Sequence, residues 1–258
     1  MNKKLILSLF FRVISLADVH DGLSQDHMPK ECGQLKSDAQ LEDSIIIIDV
    51  EKILKTNPEH MEALLQASRS ASNLVATVAG QNQKAFYIQR AFNYAQRSIQ
   101  LEPGSKEAHL NYIIALGLLS EIAKNPAEKL RHANVIKAQA DYLLSIDSLY
   151  APAHFTLGKW HLSLASLSWL EQAACDILFG GMPREASLET ALRCFEKAIQ
   201  LQPENILFQY NKALALHKLG RSVEAVNVLK CTLKIPLQET NDSIRRNNCI
   251  ALLNQLYQ

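Results

Sequence analysis

Histidine, cysteine and tryptophan are the side chains through which this sequence would do chemistry. His154 and His161 are seven residues apart, about two helical turns, and His109 stands 45 residues before His154. On neighbouring helices the three could share a face and meet a metal ion. No carboxylate or cysteine completes the set at ligand spacing, so the histidines read as packing residues and no metal is expected. Cys175 could act as a nucleophile with His161 as its base, but no third group orients the pair, which favours a small buried side chain. The five cysteines, Cys32, Cys175, Cys194, Cys231 and Cys249, are odd in number and include no C-x-x-C pair, so neither a zinc site nor a disulfide framework is written. Trp160 and Trp169 are assigned to the core, where large aromatics dominate packing.

The signatures GxGxxG, GxxxxGK[ST], GxSxG and HExxH do not occur. Gly180-Gly181 follows a helical pattern rather than a strand, the wrong setting for a phosphate loop. The chain is therefore read as non-enzymatic, with no cofactor. Lys plus Arg number 27 against 26 for Asp plus Glu, so no overall field steers the protein toward nucleic acid or an anionic bilayer.

The elements that must position these residues are helices. Of 258 residues 48% are apolar, while 9 glycines and 8 prolines are too few for a turn-rich sandwich or barrel. A spacing recurs: TNPEHMEA ends at Ala63, LEPGSKEA at Ala108 and SIDSLYAPA at Ala153, each 45 residues from the last, and Pro203 lies 55 after Ser148. Self-similarity at this period indicates stacked helical hairpins. In the first hairpin Leu64, Ala67, Ala71, Leu74, Val75 and Val78 form one stripe before Gly80, and a second helix runs from about Lys84 to Leu101. The second turns at KNPAEK, with Asn125 as cap and Pro126 at the first helical position. The third has a long first helix, Ala151 to Phe179, and restarts after Ser187 with Leu188, Ala191, Leu192, Phe195, Ala198 and Ile199 inward. Trp169, Leu170, Phe179 and Met182 would form a brace over an adjacent hairpin or an exposed ledge. The fourth turns at Gly220. A last helix, Ser243 to Tyr257, turns Ile244, Ile250, Leu253 and Leu256 to one side and would cover the open end.

Residues 1–17 follow the order of a secretory signal, with two lysines, the apolar stretch Leu5 to Phe11 and small residues at Ser15 and Ala17. That order predicts export to a bacterial periplasm, with a cytoplasmic location as the alternative. Residues 18–40 carry no periodic apolar face and read as a flexible linker, leaving 41–258 as the folded domain. No segment reaches the roughly 20 apolar residues of a spanning helix.

At ASLETALRCFEKAIQLQPEN, residues Ala191, Phe195, Ala198, Leu201 and Pro203 stand at the spacing of the second half of a tetratricopeptide repeat. Gly220, Ala225 and Leu229 repeat it, and Ala153, Leu157 and Gly158 match the first half. The longer stretch HFTLGKWHLSLASLSWLEQAACDILFGGMPREASLETALRCFEKA resembles the regulator of microtubule dynamics family and its bacterial tetratricopeptide relatives. The resemblance covers roughly Leu41 to Gln258. It implies an all-α, right-handed superhelical stack of antiparallel helix pairs with a C-terminal capping helix. In function it implies a protein-interaction scaffold with a protein or peptide partner. The alternative is a microtubule-associated or organelle-tethering role like that of the animal members.

In this repeat family the first helices line the concave face, which places Leu65, Leu110, Phe155 and Tyr210 in one row flanked by Arg69, Lys159 and Lys218. The row is apolar, and the lysines of a carboxylate clamp do not stand at the corresponding positions. It reads either as a groove for a partner's helix or extended segment, or as packing against a neighbouring helix or residues 18–40 folded back.

Overall fold

One turn is built four times along this chain. His60 N–H donates to the Asn57 carbonyl at 3.2 Å, Ser105 to Glu102 at 3.0 Å, Tyr150 to Asp147 at 3.1 Å and Asn205 to Gln202 at 3.3 Å. The acceptors lie 45, 45 and 55 residues apart, the steps read from the sequence. Each turn closes a second helix and opens the next first helix.

The computed structural model describes residues 30–168, 172, 183–238 and 241–257. Among these the regular elements are ten α-helices: α1 (Lys30–Thr56), α2 (Met61–Thr77), α3 (Gln81–Leu101), α4 (Lys106–Ile122), α5 (Pro126–Ile146), α6 (Ala151–Ala165), α7 (Leu188–Leu201), α8 (Ile206–Lys218), α9 (Ser222–Thr232) and α10 (Asp242–Leu256). The described helices fall into two compact units, α1–α4 and α5–α10, with the break between Ile122 and Ala123.

In the N-terminal unit the stripe Leu64, Ala67, Ala71, Leu74, Val75 and Val78 is buried throughout. Leu64 and Ala67 meet Val50 and Leu54 of α1, while Ala71 and Leu74 meet Ile47 of α1 and Ala91 and Ala95 of α3. Alanines at these crossings let the backbones approach closely, and Ser68 Oγ donates to the Ala91 carbonyl at 3.0 Å across one of them.

The C-terminal unit is organised around Phe195, which is fully buried together with Ala191, Ala198, Ala213, Ala215 and Ala225. A Cβ built on Gly158 of α6 would stand 2.5 Å from Phe195 Cε1, so only glycine admits the ring there. Trp160 packs with Ala133, Leu164 and Leu167. Capping follows the sequence: Asn125 Oδ1 accepts from Ala127 N–H at 2.9 Å ahead of Pro126, and Ser187 Oγ accepts from Thr190 N–H at 3.0 Å. Gly220 has φ 76°, the left-handed conformation of a helix stop, and Arg221 N–H closes the cap on the Leu216 carbonyl at 2.9 Å.

Three expectations are corrected. Residues 30–40, read as part of a linker, belong to α1. They lack a periodic apolar face, yet Glu31, Gln34, Leu35, Lys36, Ala39 and Gln40 are good helix formers that extend a helix nucleated by packing downstream. The long first helix from Ala151 stops at Ala165 and Ser166 caps it; Ser166 and Ser168 are residues whose hydroxyls compete for backbone hydrogen bonds. On α10 the buried residues are Asp242, Cys249 and Leu252, with Leu253 and Leu256 beside them, and Ile250 is exposed. Apolar side chains stand on both sides of Cys249, and packing against α8 and α9 selects the other edge of the stripe. The brace formed by Trp169, Leu170, Phe179 and Met182 lies outside the described residues, as do Cys175, Gly180-Gly181 and the signal-like residues 1–17. Among the described residues no helix is long and apolar enough to cross a membrane.

Candidate functional site

The turns place the first helix of each hairpin directly after a fixed loop, so within each unit residues at one register recur at one height, on α2 and α4 and again on α6 and α8. Within the N-terminal unit, successive first helices are bonded to each other: Asn111 Nδ2 of α4 donates to the Leu65 carbonyl of α2 at 3.1 Å. Both residues are buried, and Leu65 keeps 4% of its surface. Leu110 is half-buried and Arg69 is exposed. Arg69 and Leu110 are thus the members of the expected row that this unit offers at its surface.

Within the C-terminal unit, α6 and α8 touch through aromatic side chains. Phe155 stacks on Phe208 with ring centroids 4.8 Å apart and lies 5.8 Å from Phe195. Tyr210 packs against the cluster around Leu216 and Ala213. Both rings are half-buried, so much of their surface already serves the fold, the packing side of the two readings. Lys218 is exposed. Lys159 differs from the expectation of a polar flank: it is 1% exposed, among the largest fully buried side chains. Its four-carbon stem lets the helix carry it inward, where a residue read only by charge would be put outside.

Asn211 stands 100 residues after Asn111, at the same register. Its Nδ2 donates to the Leu207 carbonyl of its own helix at 2.8 Å, and its buried Oδ1 has no partner among the described residues. Sequence reasoning passed over both asparagines, although an asparagine repeated at one register of a hydrophobic helix marks a buried polar requirement.

The histidines have structural work. His109 Nε2–H donates to the Pro103 carbonyl at 2.8 Å and His154 Nε2–H to the Ser148 carbonyl at 2.9 Å. Gln209 repeats the bond to Pro203 at 3.0 Å. Each side chain ties the fourth residue of a first helix back to the turn that precedes it, which explains the 45-residue step between the two histidines. Among the described residues no group of three His, Cys, Asp or Glu side chains converges to hold a metal.

His161 is buried beside Trp160, with ring centroids 4.9 Å apart, edge on. Trp160 Nε1 and His161 Nδ1 have no hydrogen-bond partner among the described residues. Burial holds the His161 imidazole below its ordinary pKa, and the Lys137 ammonium adds to this; Lys137 Nζ sits 5.5 Å from the Trp160 ring and 2.9 Å from Asp141. Burial pushes the Cys194 thiol up and that of Cys249 to about 12. Thiols held protonated in this way are poor nucleophiles.

Residues 30–257 match the family described as "Regulator of microtubule dynamics protein 1-3". The chain is 25% identical over 186 residues to Regulator of microtubule dynamics protein 3 of Rattus norvegicus, covering 70% of this chain and 38% of that protein. It is 27% identical over 158 residues to Regulator of microtubule dynamics protein 1 of Bos taurus, covering 60% and 49%. The chain thus spans half or less of these two relatives. Among solved structures, a thermophilic TPR protein of Thermus thermophilus superposes with a TM-score of 0.58 at 15% identity, over 84% of this chain and 99% of that one. The fold is a tetratricopeptide-like helical repeat, an α-solenoid class, and the chain belongs to the regulator of microtubule dynamics family.

Proposed function

We propose that this protein is a non-enzymatic interaction scaffold in which the first-helix face of each unit receives a segment of a protein partner. The observation that supports it is the direct bond between successive first helices, Asn111 to Leu65, which makes neighbouring hairpins present one surface rather than separate ones. In the C-terminal unit that face carries Tyr210 with Lys218 as its charged flank; in the N-terminal unit it carries Leu110 with Arg69. Affinity capture from native cells with the full chain tests this. Tyr210→Ala combined with Lys218→Glu should lose a partner that the wild type retains, and equal recovery by a folded variant removes the face from consideration.

A second reading, microtubule association, is favoured by the family to which the chain belongs. Saturable co-sedimentation of the full chain with stabilised microtubules would support it, and its absence would leave the scaffold with another partner. The signal-like order of residues 1–17 adds the proposal of export and cleavage after Ala17, with a cytoplasmic location as the alternative. The intact mass of native protein distinguishes them, because retention of Met1 to Ala17 contradicts cleavage.

A further inference from the structure

Trp160 and His161 follow one another on α6, are 4% and 8% exposed, and bring their rings together edge on at 4.9 Å. Trp160 fills a seam where three elements of the C-terminal unit meet. It packs with Ala133 of α5, with Leu164 of α6 and Leu167 just past its end, and beside Ala186 ahead of α7. In this seam the Trp160 indole Nε1–H and His161 Nδ1 are buried with no hydrogen-bond partner among the described residues. One buried polar atom left unpaired is already costly, and the seam holds two.

The charges around the imidazole oppose one another. From α5 it is faced by Lys137 and Asp141, which are bonded to each other at 2.9 Å, from the segment ahead of α7 by Glu185, and from α7 by Arg193. Lys137 also sets its ammonium 5.5 Å from the Trp160 ring. Protonation puts an N–H on Nδ1 whichever tautomer the neutral ring has. That N–H would be a second buried donor without an acceptor, next to a residue whose indole N–H is in the same state. From this arrangement we infer that His161 is a proton-sensitive latch: its neutral form closes the α5–α6–α7 seam over Trp160, and its charged form opens the seam locally and admits water to both rings. The cluster around Phe195 that joins α6 to α7 and α8 includes neither ring, so the unit stays folded while the seam opens. Burial, and then Lys137, lower the pKa of His161 from 6.5, so the opening falls below that pH.

Trp160 itself reports the state of the seam. The chain has two tryptophans, so in a Trp169→Phe background Trp160 is the only indole. Its emission, titrated between about pH 8 and about pH 5, should be quenched and shifted to the red in one reversible step with a midpoint below 6.5, while far-ultraviolet circular dichroism stays constant. His161→Gln in that background should keep the emission of the closed seam throughout. His132→Gln, which removes the other ring lowered by burial, should leave the step in place. Hydrogen exchange of the full natural chain, corrected for the intrinsic effect of pH on amides, supplies a second measurement: exchange in α6 and at the start of α7 should rise on acidification in the wild type and not in His161→Gln. Unchanged emission and exchange, a step that persists in His161→Gln, or a loss of helicity in parallel with the step would each overturn the inference, the last by showing that the whole unit unfolds rather than the seam.

Discussion

At the residue scale, the closest constraint is the meeting of Gly158 with Phe195. The missing Cβ would stand 2.5 Å from Cε1 and 2.6 Å from Cδ1 of a ring that is fully buried. Alanine is favoured over glycine in a helix by about 1 kcal/mol, but a ring closed in on all sides cannot give way, and overpacking outweighs that gain. Gly158→Ala should destabilise the protein by about 1 to 3 kcal/mol in urea unfolding, whereas Gly104→Ala, with open space around the new methyl, should change it by less than about 0.5 kcal/mol. Equal midpoints for the two would show that the ring moves. His161 supplies a pH dependence. It is faced by Lys137 and Asp141 of α5, by Glu185 ahead of α7 and by Arg193 of α7, and burial lowers its pKa from 6.5. Between the lowered folded value and 6.5 the unfolded chain holds more protons, so this stabilisation is complete above about 6.5 and declines as the pH falls. His161→Gln should flatten that part of the stability profile, and an unchanged slope would assign it elsewhere, His132 being the next ring lowered by burial.

At the element scale, the hairpins were legible where packing and period agree. The stripe from Leu64 to Val78 and the set Ala191, Phe195 and Ala198 are buried as their spacing requires, because a three-and-four repeat with small residues at the crossings admits one face only. Replacing Ala191 or Ala225, both fully buried, by leucine should therefore lower stability by about 1 to 3 kcal/mol. An unchanged unfolding midpoint would contradict the assigned register. What the sequence hides is instructive in physical terms. Residues 30–40 carry good helix formers but no apolar period, so a search for apolar periodicity passes this part of α1 by. Lys159 is a cation whose stem is apolar, and Ile250 lies next to Cys249 at the edge of a stripe that either could lead. The turn bonds of His109 and His154 emerge only when a carbonyl six residues earlier is brought back by the loop. His154→Ala should remove one such bond and cost about 0.5 to 1.5 kcal/mol, with Gln at that position retaining most of it, as Gln209 does naturally. If alanine and glutamine behave alike in thermal unfolding, the bond contributes nothing.

At the scale of the whole molecule, the nearly balanced charge, the Cys249 thiol pushed up by burial, and His109 and His154 tied to their own turns accord with the proposed interaction scaffold. Of the row read from the sequence, Leu65 and Lys159 belong to the interior, Phe155 is held among aromatic rings, and Arg69, Leu110, Tyr210 and Lys218 remain within reach of a partner. That division was not readable beforehand, since one register position can face a groove in one hairpin and a neighbouring helix in the next. The central claim, that partners are received on first helices, is tested most directly by photo-crosslinking in native cells. A photoreactive residue would replace Arg69 of α2 or Lys218 of α8, with Gln100 of α3 and Asn227 of α9, exposed residues of second helices, as controls. The account predicts a discrete crosslinked protein from positions 69 and 218 and little from 100 and 227; crosslinks that arise equally from all four positions, or only from the second helices, would contradict it.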